Sequence, residues 1–143
     1  MRKLILITFL AAAAAFAQSA APAKAPASKA KVLSRAELDQ LLATPDKVLL
    51  IDVRRPDEVS SLGGFPVYLS IQMGDLEKHL DAIPRDRVIV TVSNHAARGG
   101  IAVDLLASKG FNVAGAVGVE TYEKEGGTLT RIAVPKKVET AEK

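Results

Sequence analysis

From residue 34 to residue 127 the apolar positions alternate between two arrangements, the three-to-four-residue step of an amphipathic helix and the unbroken run of a buried strand. Ser34-Arg35-Ala36-Glu37 has the residue types of a capping box, a hydroxyl at the N-cap and a carboxylate three residues later. Leu38, Leu41 and Leu42 follow at helical spacing, and Pro45 stops that helix. The apolar run over 48–53 predicts a strand covered on both faces, and after a loop a short extended piece is expected over 67–71. Asp75 opens a second helix whose Leu76, Leu80 and Ile83 share one face; His79 lies off that face in solvent, and Pro84-Arg85-Asp86 ends the element. A second buried strand covers 88–92. The loop SNHAA leads from it into a helix over 98–109, packed through Ala102, Leu105 and Leu106 and closed by Gly110. A last strand over 111–117 and a short helix over 119–125, ended by Gly126 and Gly127, complete the series. Alternating units of this kind predict an α/β fold with a mostly parallel sheet, its ligands bound where strand ends meet helix starts.

The flanks read differently. Residues 1–17 combine Arg2 and Lys3, an apolar run over 4–16 and small residues before Gln18, the pattern of a cleaved secretory signal. The run is shorter than the ~20 residues a spanning helix needs, so export to the periplasm or beyond is expected, without stable membrane insertion after cleavage. Residues 18–31, rich in Ala, Pro and Lys, read as a solvated linker; 32–134 form the domain, and 135–143 a fraying tail.

Charge and composition narrow the chemistry. The formal net charge is +3, but residues 32–134 hold 11 basic and 14 acidic side chains, so the excess of positive charge sits in the flanks. With no basic stripe and only 4% aromatic residues, nucleic acid is not an expected partner. The chain has no cysteine, which excludes disulfides, thiolate metal sites and thiol nucleophiles. His79 and His95 are far apart and lack a ligand spacing, so neither metal nor other cofactor is expected.

Five motifs, LIDVRRPDE at 50–58, FPVYLSI at 65–71, VIVTVSNHAARGG at 88–100, LLASKGFNV at 105–113 and GVETYEKEGG at 118–127, stand in an order and spacing that resembles the rhodanese family. The resemblance implies a three-layer α/β fold, a mostly parallel sheet of about five strands with helices on both faces. It also implies a loop of the form C-x-x-G-x-R-[ST] after the central strand, whose cysteine carries sulfur as a persulfide within a cradle of backbone N–H groups. In this chain the cysteine position is Ser93, the glycine Ala96, the arginine Arg98 and the last residue Gly99. A serine hydroxyl does not ionise near neutral pH and forms no stable sulfur-transfer intermediate, so sulfurtransferase activity is predicted absent, as is the chemistry of related phosphatases and arsenate reductases that use the same cysteine. Ala96 is expected to force another loop shape at a cost of roughly 1 kcal/mol or more. Gly99 removes the hydroxyl that would cap the helix. Where relatives read G-H-I-P-G-A, this chain has Gly63-Gly64-Phe65-Pro66-Val67-Tyr68.

Ser93, Asn94, His95, Ala96, Ala97 and Arg98 are thus the candidate site, either binding an anion or bracing the loop, with Asp52, Arg54 and Glu58 in support. Arg98 opens a helix, where the dipole favours negative charge; it either meets an external anion or pairs with Asp52 or Glu58. For Asp52 and the Arg54-Arg55 pair at the strand end, the resemblance implies loop bracing and surface charge. Ser93 with His95 could suggest a hydrolase, but the two stand two residues apart with neither an orienting acid nor a G-x-S-x-G elbow. Tyr122 is expected to pack the last helix on the sheet with its hydroxyl in water. Two functions follow: a non-enzymatic module binding a small anion or a protein partner at 93–98, and an enzyme with altered chemistry at Ser93.

Overall fold

The computed structural model describes residues 28–131, so the expected signal segment, most of the expected linker and the expected tail lie outside the described residues. The elements run α1 (Arg35–Leu42), β1 (Val48–Asp52), α2 (Pro56–Leu62), β2 (Leu69–Ser70), a 3₁₀ segment (Met73–Ala82), β3 (Val88–Ser93), α3 (Ala97–Ser108), β4 (Val113–Gly118) and α4 (Val119–Lys124). The four strands form one parallel sheet in the order β2-β1-β3-β4.

Side chains alternate across each strand, and the two faces are covered by different helices. Leu50, Val90, Val92 and Val117 face Leu38 of α1 and Tyr122 of α4, while Ile51, Val53 and Ile89 face Leu76 of the 3₁₀ segment, Ile83 just after it, and Ala102 and Leu106 of α3. This is the three-layer α/β arrangement expected, with a mainly aliphatic core that also holds Phe111 and the edge-to-face pair of Phe65 and Tyr122, whose rings lie 5.1 Å apart.

Several expectations need correction. The sheet has four strands, not about five. A fifth position is only begun, by a single parallel bridge of Val32 to Ala116 in which Ala116 N–H donates to Lys31 C=O at 2.9 Å and Leu33 N–H to Ala116 C=O at 2.8 Å. Residues 28–31, read as linker, therefore already lie on the fold, with Ala30 packed against Ala96, Val103 and Ala116. The loop after β1 contains a helix, α2. The segment opened near Asp75 is 3₁₀, broken at His79 where φ is −115° and ψ 16°. The Tyr122 hydroxyl does not face water but donates to Asp39 Oδ1 at 2.8 Å. The capping box at Ser34 and Glu37 is present as read, and Gly110 ends α3 at a φ of 81°.

Candidate functional site

β3 ends between its two neighbours at Ser93, and the chain turns through Asn94, His95 and Ala96 into α3. A hydroxyl at each of two inward positions of β3 fixes the start of that helix. Thr91 Oγ1 donates to Gly99 C=O at 2.7 Å, and Ser93 Oγ accepts the Gly99 N–H at 3.1 Å. Ser93 thereby satisfies one of the N–H groups that a helix leaves open at its first turn, the service that a hydroxyl at 99 was expected to supply. Gly99 leaves the room for it: a Cβ there would lie 3.1 Å from Thr91 Oγ1 and 3.3 Å from Ser93 Oγ.

Ala96 is the helix N-cap at φ 65° and ψ −15°, so the left-handed turn into α3 is made with alanine. Gly118, at the strand-to-helix junction alongside, lets the loop pass closely; a Cβ there would lie 3.0 Å from Ala96 N and Asn94 O. The importance of Thr91 and Gly118 was not read from the sequence, although a hydroxyl inside an apolar strand and a glycine closing another were both visible.

The charged groups sort themselves into two pairs. Arg98 meets Glu58, not Asp52: its Nη1 donates to Glu58 Oε2 at 2.9 Å and its Nη2 to Oε1, a bidentate contact. Glu58 also accepts the Asn94 side-chain amide at 2.9 Å and the Arg55 N–H at 3.0 Å. The Arg98 guanidinium first, and then the Arg55 N–H, hold the Glu58 carboxyl at about 2, against an ordinary value of 4.5. Glu58 in turn raises the Arg98 pKa. Asp52 is taken instead by Arg54, whose Nε donates at 2.9 Å and Nη2 at 2.6 Å, with a further bond from Nη2 to Gly63 C=O at 3.0 Å. Of the two roles read for the Arg54-Arg55 pair, Arg54, 0% exposed and bonded to Asp52 and Gly63, takes loop bracing, and Arg55, facing solvent, takes surface charge.

Ser93 and His95 do not assemble. Ser93 is 1% exposed with its oxygen engaged by Gly99, while His95 points outward and its Nε2 lies 3.4 Å from Glu120. Among the described residues no cluster of His, Asp or Glu side chains is placed to share a metal ion.

No family model matches the chain. It is 34% identical over 74 residues to a sulfurtransferase of Allochromatium vinosum, covering 52% of this chain and 68% of that relative. It is 27% identical over 99 residues to YtwF of Bacillus subtilis, a candidate sulfurtransferase, covering 69% of this chain and 87% of the relative. Among solved structures, a rhodanese-related protein from Thermoplasma volcanium superposes with a TM-score of 0.62 over 70% of this chain and 97% of its own, at 22% identity. With the parallel three-layer fold and the loop joining β3 to α3 in place, the chain belongs to the rhodanese-like family, as a member without a cysteine.

Proposed function

We propose that this protein is an exported rhodanese-like domain that performs no covalent sulfur transfer and acts by non-covalent binding at residues 93–98, to a small anion or to an acidic group on a protein partner. The observation that supports this reading is the state of Ser93: 1% exposed, with its hydroxyl accepting a backbone N–H at the start of α3. A sulfur carrier needs a thiolate at that place, and the chain has no cysteine at all. What the loop still offers is the set of N–H groups at 95–98, which have no acceptor among the described residues, beside a helix N-terminus. Arg98 supplies the charge, but its guanidinium is already paired with Glu58, so the affinity expected for a free anion is in the millimolar range. Export rests on the signal-like character of residues 1–17.

The test combines turnover with binding. Thiosulfate-to-cyanide transfer should stay at background for the parent chain, and Ser93→Cys should acquire a sulfane-loaded form, because the new sulfur would face the Gly99 N–H and the helix N-terminus. Millimolar sulfate should raise the melting temperature of the parent, and Arg98→Ala, which leaves the Glu58 carboxylate uncompensated, should abolish the rise. Sulfur transfer by the parent chain would remove the first half of the proposal, and a parent indifferent to sulfate would remove anion binding.

A further inference from the structure

The end of the sheet opposite residues 93–98 carries a cleft of about 140 Å³ whose lining includes Leu42, Pro45, Val48, Leu50, Val67 and Arg87. An apolar cavity of roughly 150 Å³ is enough to hold a benzene ring, so this one accepts a single leucine-sized group.

The cleft exists because the ladder between β1 and β2 stops one rung early. Ile71 N–H donates to Asp52 C=O at 3.1 Å, so the even-numbered residues of β1 turn their polar groups toward β2. Val88 N–H donates to Lys47 C=O at 2.8 Å and Val53 N–H to Val92 C=O at 3.0 Å, so the odd-numbered ones turn toward β3. Pairing with β2 begins at Ile51 with Leu69. The rung before it would set Val67 opposite Leu49, closing the Val48 C=O and the Leu50 N–H. Instead the chain bends at Pro66 and Val67, and Val67 stands 79% exposed. Those two groups on Val48 and Leu50 have no backbone partner among the described residues, and an open stretch of strand edge is a template for another extended chain.

Arg87 adds a charge to this edge. It is partly buried, lines the cleft and forms no ion pair among the described residues. Arg85, two residues earlier, is by contrast engaged, 4.2 Å above the Phe111 ring and bonded to Lys109 C=O at 3.2 Å. An unpaired guanidinium beside an apolar cleft and an open rung calls for an anion carried on an extended, apolar group.

We propose that this cleft binds the C-terminal end of an extended peptide. The last amide N–H donates to Val48 C=O and the carboxylate accepts from the Leu50 N–H and from Arg87, which sets the last residue opposite Leu49; the apolar side chain of the residue before it, on the face of Val48 and Leu50, therefore enters the cleft. The site is independent of residues 93–98 and of the function proposed for them.

The experiment titrates three probes into the isotope-labelled chain and follows backbone amide signals: N-acetyl-Leu-Gly with a free carboxylate, the same peptide as its C-terminal amide, and 4-methylpentanoate. The free-acid peptide should shift Val48, Leu50 and Val67 and bind roughly tenfold more tightly than the amide, as expected for a charge-assisted bond. Arg87→Gln should erase that preference while keeping the parent melting temperature, and Arg87→Lys should retain part of it. Equal binding of acid and amide, shifts confined to other residues, or an undiminished preference in Arg87→Gln would overturn the proposal. If 4-methylpentanoate binds as tightly as the peptide, the open rung plays no part and the peptide assignment falls.

Discussion

Ala96 holds φ 65° and ψ −15°, a left-handed conformation that a Cβ opposes by roughly 1–2 kcal/mol. Two contacts keep it there. The residue is 4% exposed and packs against Val103 and Ala116, and its carbonyl accepts the Gly100 N–H at 2.7 Å. Replacing it with glycine removes the backbone strain, but gives up the buried methyl and adds about 0.5–1 kcal/mol of unfolded-state freedom. Ala96→Gly is therefore expected to leave stability within about 1 kcal/mol of the parent. Ala102→Gly, at a fully buried position inside α3 with no strain to relieve, should cost about 1–2 kcal/mol. Urea titrations of the two variants side by side check this; equal losses at both positions would mean that Ala96 bears no left-handed strain.

The free edge of β4 is closed by the backbone bonds of Ala116 to Lys31 and Leu33, with the Leu33 side chain buried in the core beside them. Gly115 makes room for it, since a Cβ there would lie 2.6 Å from the Lys31 carbonyl oxygen and 3.1 Å from Leu33 Cγ. Gly115→Ala should push residues 31–33 off the edge. Losing two backbone hydrogen bonds costs about 1–3 kcal/mol, and the Ala116 and Leu33 amides should exchange faster with solvent while those of α3 keep their protection. Exchange unchanged at both amides would show that the edge tolerates the methyl. This contact explains why the sequence pattern sets the linker boundary too late: Ala30 and Lys31 join the fold through one methyl, one carbonyl and an ion pair of Lys31 with Glu37, which leave no hydrophobic period to read. The same reason hid α2, whose inward residues are Val59 and a partly buried Leu62. Pro56 at its first turn with Asp57 and Glu58 behind it was the available signal. α1, β1, β3 and α3 were plain because a cap, a breaker or an unbroken apolar run marked each one.

Across the molecule the layers are tied by charge as well as by the core. Arg54 anchors the end of β1 to the turn at Gly63, and Glu58 joins α2 to the 93–98 loop. From the sequence, Arg98 had two carboxylates as possible partners, and only the fold decides between them, because Arg54 curls back onto Asp52 two residues away and leaves Glu58 to Arg98. The pair has a consequence for pH. Glu58 is held at about 2 mainly by Arg98, and Glu37 at about 2 mainly by Lys31 and then Ser34, both below an ordinary 4.5. A carboxyl whose pKa is lower in the folded state stays ionised there while the unfolded chain takes up its proton. Its contribution is therefore complete above the unfolded value and is lost as pH falls through the folded one. The urea midpoint should hold steady above about pH 5 and decline between pH 4.5 and pH 2. Glu58→Gln should lower the midpoint at neutral pH and make the acid decline shallower, the remaining slope being carried in part by Glu37. A decline as steep in Glu58→Gln as in the parent would show that the bond to Arg98 leaves the protonation of Glu58 unchanged between the folded and unfolded states.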